Sequence, residues 1–142
     1  MEKTIIALRG KADIGKTSTL KEVYKLLKDN YTIEIETENT NHNTPKADIK
    51  VIFKIKGIRI GIASQGDPGY GLEKSLEEFA RKDCTIIICA TRTRGKTYNA
   101  VEAQKPLYKV IWNTQEENKL EYPATNNRMA RKIFTEAEKA WA

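Results

Sequence analysis

The chain is poor in the side chains that build most metal and nucleophile sites. It has two cysteines, Cys84 and Cys89, and one histidine, His42. Two cysteines are too few for a disulfide framework or a zinc site, and one histidine excludes most His-based metal and triad chemistry. No apolar run approaches the roughly 18 residues that a membrane span needs. The N-terminus, Met1-Glu2-Lys3, leads straight into a short apolar segment and lacks the layout of a secretory leader. No internal repeat and no low-complexity tract interrupts the chain. These absences set the expectation of a reduced, cytoplasmic protein without a membrane partner.

What is present is the composition of a folded domain. The length of 142 residues fits one domain over 1–142, with 39% hydrophobic and 31% charged residues. Lys plus Arg number 25 against 19 Asp plus Glu, a net charge of +6. Such an excess suits anionic partners such as nucleotides, nucleic acid or acidic membranes without choosing among them.

The pattern alternates strands and helices. Thr4 to Leu8 reads as a buried strand, Gly10 to Lys16 as a loop, and Thr17 to Asp29 as a helix whose Leu20, Val23, Tyr24 and Leu27 share one face. Tyr31 to Thr37 alternates as a half-buried strand, and Glu38 to Asp48 reads as a polar loop containing His42. Ile49 to Ile55 and Ile58 to Ser64 read as a hairpin turning at Lys56-Gly57. Lys50, Lys54 and Lys56 fall on its polar face, expected to be solvated. Gln65 to Gly71 reads as a glycine-rich turn and Leu72 to Lys82 as a helix. Thr85 to Ala90 reads as a central strand, with Cys84 and Cys89 as core residues on opposite faces. A basic loop, a short helix at Tyr98 to Gln104, a strand at Leu107 to Trp112 and a helix at Thr125 to Trp141 complete the chain. The predicted architecture is α/β: a mostly parallel sheet flanked by helices, with one antiparallel hairpin.

The strongest chemical signal is Gly10-Lys11-Ala12-Asp13-Ile14-Gly15-Lys16-Thr17, followed by Ser18. It fits G-x-x-x-x-G-K-[ST] and lies between a predicted strand and a predicted amphipathic helix, the context the motif requires. The glycines let the backbone turn, and the amides that follow surround phosphate oxygens at the positive end of a helix. Lys16 supplies a mobile charge for the β- and γ-phosphates, and the Thr17 hydroxyl suits Mg²⁺. By this motif the chain resembles the P-loop NTPase superfamily. The resemblance implies a nucleoside triphosphate, ATP or GTP, bound with Mg²⁺ at the C-terminal ends of the strands.

Members of that superfamily carry an acid after a second apolar strand. Here Ser64 stands at the end of that strand, and Asp67 follows in Ser64-Gln65-Gly66-Asp67 as the candidate metal ligand, with turn initiation as its other reading. Gln65 stands just beyond the same strand, where a glutamine orients the attacking water in some GTPases; a surface glutamine without a role is its other reading. Arg92 and Arg94 follow the central strand, where an arginine neutralises charge on a transferring phosphoryl group; two solvated loop arginines are the other reading. Lys11 resembles the signature lysine of the ParA/MinD-like ATPases, whose pattern is K-G-G-x-G-K-T, and this implies a homodimer or other protein partner. The element order also resembles Ras-like GTPases, whose N-K-x-D motif reads guanine. The corresponding segment here is Asn113-Thr114-Gln115-Glu116, which leaves ATP favoured. Three functions stay open: a small NTPase or switch, a phosphotransferase gripping phosphates with Arg92 and Arg94, and a non-catalytic nucleotide or nucleic-acid binding module.

Overall fold

The computed structural model describes residues 2–11, 14–40, 48–64, 69–116 and 122–141. Six strands form one mixed sheet in the order β2-β3-β4-β5-β1-β6. They are β1 (Thr4–Arg9), β2 (Glu34–Thr40), β3 (Ile49–Ile55), β4 (Ile58–Ala63), β5 (Ile86–Thr91) and β6 (Lys109–Thr114). Four helices flank them: α1 (Lys16–Asn30), α2 (Gly69–Arg81), α3 (Lys96–Glu102) and α4 (Tyr122–Trp141).

The parallel half comprises β4, β5, β1 and β6, paired in that order. Isoleucine-rich β1 and β5 lie at its centre and are buried on both faces, as strands covered by helices must be. On one face α1 contributes Leu20, Val23, Tyr24 and Leu27, and α4 contributes Met129, Ala130, Ile133 and Ala137. On the other, Leu72, Leu76 and Phe79 of α2 and Val101 of α3 close over Ile5, Ile52 and Ile87. Apolar side chains three and four apart place each helix on the sheet, because burial of that stripe is the main gain available to it.

The hairpin forms as predicted. Lys56 (φ 52) and Gly57 (φ 81) are both left-handed, the geometry of a tight turn whose twist matches its strands. Around it the structure departs from the sequence reading. The strand predicted at Tyr31 to Thr37 runs instead over Glu34–Thr40 and is exposed from Glu34 to Asn39, with Ile35 45% accessible. Tyr31 and Ile33, which supplied the apolar half of the alternation, pack on the core before the strand begins. Glu38, Asn39 and Thr40 were expected in a loop, yet they pair with Val51, Lys50 and Ile49. Cross-strand hydrogen bonds outweigh the polarity of the segment. The sheet therefore holds two antiparallel pairings, β2–β3 and β3–β4, where one hairpin was predicted.

The hairpin lysines are also not a solvated stripe. Lys50 is half-buried and paired with Glu78 at 2.7 Å, and Lys54 lies 3.9 Å from Glu36. Lys56 turns to the other face, its ammonium 5.5 Å from the Tyr31 ring centre. Gly69 and Gly71 belong to the first turn of α2 and not to a loop. Cys84 and Cys89 lie in the same core cluster, contrary to the opposite-face reading, because Cys84 precedes β5 and escapes its alternation. Among the described residues, no helix is long and apolar enough to cross a membrane.

Candidate functional site

The loop from β1 to α1 opens at the C-terminal rim of the parallel strands. Gly10 donates its N–H to the Thr91 carbonyl at 3.1 Å, so the loop is seated directly on the end of β5. Gly15 caps α1 in the left-handed conformation (φ 98, ψ 12), which a side chain would strain. Gly15 brings no side chain to cap this helix start, and the first turn of α1 carries no acid. The leading amides and the helix dipole present positive character at the rim. Ile14 is buried, and its Cδ1 would stand 2.7 Å from a Cβ at position 10, so a side chain there would have to displace the Ile14 methyl.

Lys16 closes this loop. Its ammonium donates to the carbonyl of Gly10 and, at 2.9 Å, to that of Lys11. Thr17 and Ser18 follow, half-buried in the first turn of α1. Lys11 is exposed. Arg92 and Arg94 are exposed in the segment that leaves β5, on the same rim. The Arg92 N–H donates to the Thr97 hydroxyl at 2.9 Å, which fixes the backbone of this segment against the start of α3. Arg9 turns away from the loop: its Nε donates to Thr114 at 3.1 Å and its guanidinium lies over Trp112.

β1 lies between β5 and β6, and β4 stands one strand beyond β5. Ser64, at the end of β4, is buried: its Oγ accepts the Ile49 N–H at 2.8 Å and faces Asp48 Oδ1 at 3.2 Å. Asp48, entering from β3, is thus a carboxylate at this rim that sequence reasoning passed over. Ala12, Asp13, His42, Gln65 and Asp67 lie outside the described residues. Among the described residues no group of three or more His, Cys, Asp or Glu side chains gathers to hold a metal. Thr17 still fits Mg²⁺, which takes one or two protein oxygens and completes its shell with phosphates and water.

The segment compared with a guanine-reading motif is committed elsewhere. Asn113 is buried, and its Nδ2 donates to Glu136 of α4 at 2.9 Å. Glu116 pairs with Arg128 at 2.8 Å. Between them, Gln115 points into a polar cluster that sequence reasoning missed. The buried Thr19 hydroxyl lies 2.9 Å from the Gly15 carbonyl, 3.0 Å from Gln115 Oε1 and 3.2 Å from Asn126 Oδ1. The available signal was weak: one threonine on the inner face of α1, and amides near the ends of β6 and α4.

A second concavity of about 400 Å³ lies between α2 and α3, lined by Glu73, Glu77, Lys96, Asn99 and Gln104. Comparison with models of protein families, with curated proteins and with solved structures finds no match to this chain.

Proposed function

We propose that this chain is a small P-loop-type NTPase: it binds a nucleoside triphosphate with Mg²⁺ at the β1–α1 loop and hydrolyses it. The observation that carries this reading is Lys16, whose ammonium spans the loop from the Gly10 carbonyl to that of Lys11. A lysine bonded to two neutral carbonyls exchanges them at little cost for charged phosphate oxygens, which are stronger acceptors. The left-handed Gly15 and a first turn of α1 without an acid support the same reading.

In this mechanism the amides from Gly15 onward orient the phosphates, and Lys16 reaches the β- and γ-oxygens. The Thr17 hydroxyl would help to hold Mg²⁺, with Asp67 as its acid. The ion, when bound, would supply charge neutralisation on the phosphates. Arg92, whose strand borders the loop, stabilises charge on the departing phosphoryl group. Gln65 orients water. Asn113 and Glu116 are engaged with Glu136 and Arg128, which favours ATP over GTP. Lys11, exposed on the loop, is the residue through which a second copy would act.

The α2–α3 concavity favours phosphotransfer as a second reading. Its Lys96 stands at the start of α3, in the segment that follows β5, and is a cation for an acceptor lodged there. A nucleic-acid module draws less support, since Lys50 and Lys54 are engaged with Glu78 and Glu36.

Calorimetric titration of ATP and of GTP, with Mg²⁺, into the wild type and Lys16→Ala tests the reading. Micromolar ATP binding that Lys16→Ala abolishes supports it, and phosphate release on turnover then separates hydrolysis from transfer. A wild type that binds neither nucleotide overturns it.

A further inference from the structure

Gly15 is held from outside its own loop. A Cβ at this position would stand 2.7 Å from Asn126 Oδ1 and 3.1 Å from its Nδ2, so the Asn126 carboxamide lies directly against the glycine. Asn126 sits in the second turn of α4 and is itself fixed. Gln115 Nε2 donates to its Oδ1 at 3.0 Å, and the Thr19 hydroxyl stands 3.2 Å from the same atom. Gln115 is buried and anchored by its own N–H, which donates to the Arg9 carbonyl at 2.8 Å. Three elements, the end of β6, the first turns of α1 and the second turn of α4, thus converge on one glycine.

Glycine is the least constrained residue, so a left-handed glycine followed by helical residues needs an external wall to stay where it is. Its conformation decides where the next amides point, and an αL residue beside αR residues is the backbone arrangement that makes an anion-binding hollow. The wall is polar for a definite reason. An apolar side chain at 126 would leave the buried Gln115 Nε2 without an acceptor, a costly loss.

We propose that Asn126, fixed by Gln115 and Thr19, is the positioning residue of the phosphate loop. It keeps Gly15 left-handed and thereby aims the loop amides at a triphosphate. The inference rests on the nucleotide reading above, and Asn126 acts on the glycine and not on the ligand. An effect transmitted through the amides depends on phosphates alone, so it is the same for ATP and for inorganic tripolyphosphate, which has no base.

The test uses the full chain, with thermal melting as the control for folding. Mg²⁺ complexes of ATP and of tripolyphosphate are titrated into the wild type, Asn126→Ala and Asn126→Asp, and the HN–Hα couplings of Gly15, which report its φ, are followed without ligand. Asn126→Ala is expected to weaken both ligands by a similar factor, at least roughly tenfold, and to average these couplings as Gly15 leaves the left-handed region. Asn126→Asp keeps an acceptor for Gln115 and is expected to retain the wild-type couplings, while its charge still weakens both ligands. Unchanged affinity and couplings in Asn126→Ala overturn the proposal. So does a loss confined to ATP, which would make Asn126 a contact for the base. If the wild type binds neither ligand, the nucleotide reading fails by itself. The couplings then still decide: averaged couplings in Asn126→Ala support the positioning of Gly15, and unchanged couplings overturn it.

Discussion

Gly61 of β4 lies flat against the ring of Phe79 of α2: a Cβ on Gly61 would stand 2.8 Å from two ring carbons. The ring is fully buried and has no room to withdraw, so the missing side chain is what lets α2 sit this close to the sheet. Gly61→Ala is expected to destabilise the fold by about 1–3 kcal/mol through overpacking. Urea unfolding measures it, and Phe79→Leu in the same chain should recover part of the loss.

Acid is expected to loosen the α2 side of the sheet. The hydrogen bond from Lys50 holds the Glu78 carboxyl below its ordinary value of 4.5, and that from Arg59 does the same for Glu36. A carboxyl depressed in the folded state adds stability above its unfolded pKa, and that stability is lost as pH falls through the folded value. Unfolding free energy should therefore be level from about pH 7 to pH 5 and fall below about 4.5. Lys50→Met should flatten part of that fall.

Both thiols are expected to be inert in the folded protein. Burial pushes Cys84 and Cys89 up to about 12, so almost no thiolate exists at neutral pH. A thiol-specific disulfide reagent should label neither in buffer and both after unfolding in urea. Rapid labelling of the native chain would show that the α2–α3 side opens readily.

The two rim arginines are expected to differ. Arg92 directly follows Thr91, whose carbonyl receives the Gly10 N–H, whereas Arg94 stands two residues further along the chain. Arg92→Ala should lower ATP turnover about a hundredfold or more with little change in affinity, as loss of a charge-stabilising arginine does. Arg94→Ala should have a much smaller effect. Steady-state kinetics on both variants, set beside calorimetric affinities, separates turnover from binding.

The metal acid is open to a direct comparison. Asp67→Asn should raise the Mg²⁺ concentration needed for half-maximal turnover by about tenfold or more. Asp48→Asn should leave it nearly unchanged, since its carboxylate faces the Ser64 hydroxyl. The reverse result would transfer the role to Asp48.

Most elements were legible in the residues because their determinants are short in range. The stripe Leu20, Val23, Tyr24 and Leu27 specifies one helix face, the Lys56-Gly57 pair specifies a tight turn, and the run Thr85 to Ala90 specifies a buried strand. The segment Tyr31 to Thr40 was misread because alternation states a period and not whether anything covers either face. Here β2 lies at the sheet edge without a helix over it, so its polar residues cost nothing and the strand extends through Thr40. Ser64 illustrates the same limit: it stands where the superfamily pattern has an acid, while the chain entering β3 supplies the Ile49 N–H and the Asp48 carboxylate that engage its hydroxyl.

The sequence by itself determined the β1–loop–α1 unit, because eight consecutive residues carry the turn, the amides, Lys16 and Thr17, and no distant partner is needed to write them. Tertiary structure alone decided that β5 and not β4 borders that loop, and that Thr19, Gln115 and Asn126 meet behind Gly15. Those side chains stand 96 and 107 positions from Thr19 along the chain. Their meeting depends on how β6 and α4 pack against β1 and α1, a result of burying two apolar faces that no local pattern records.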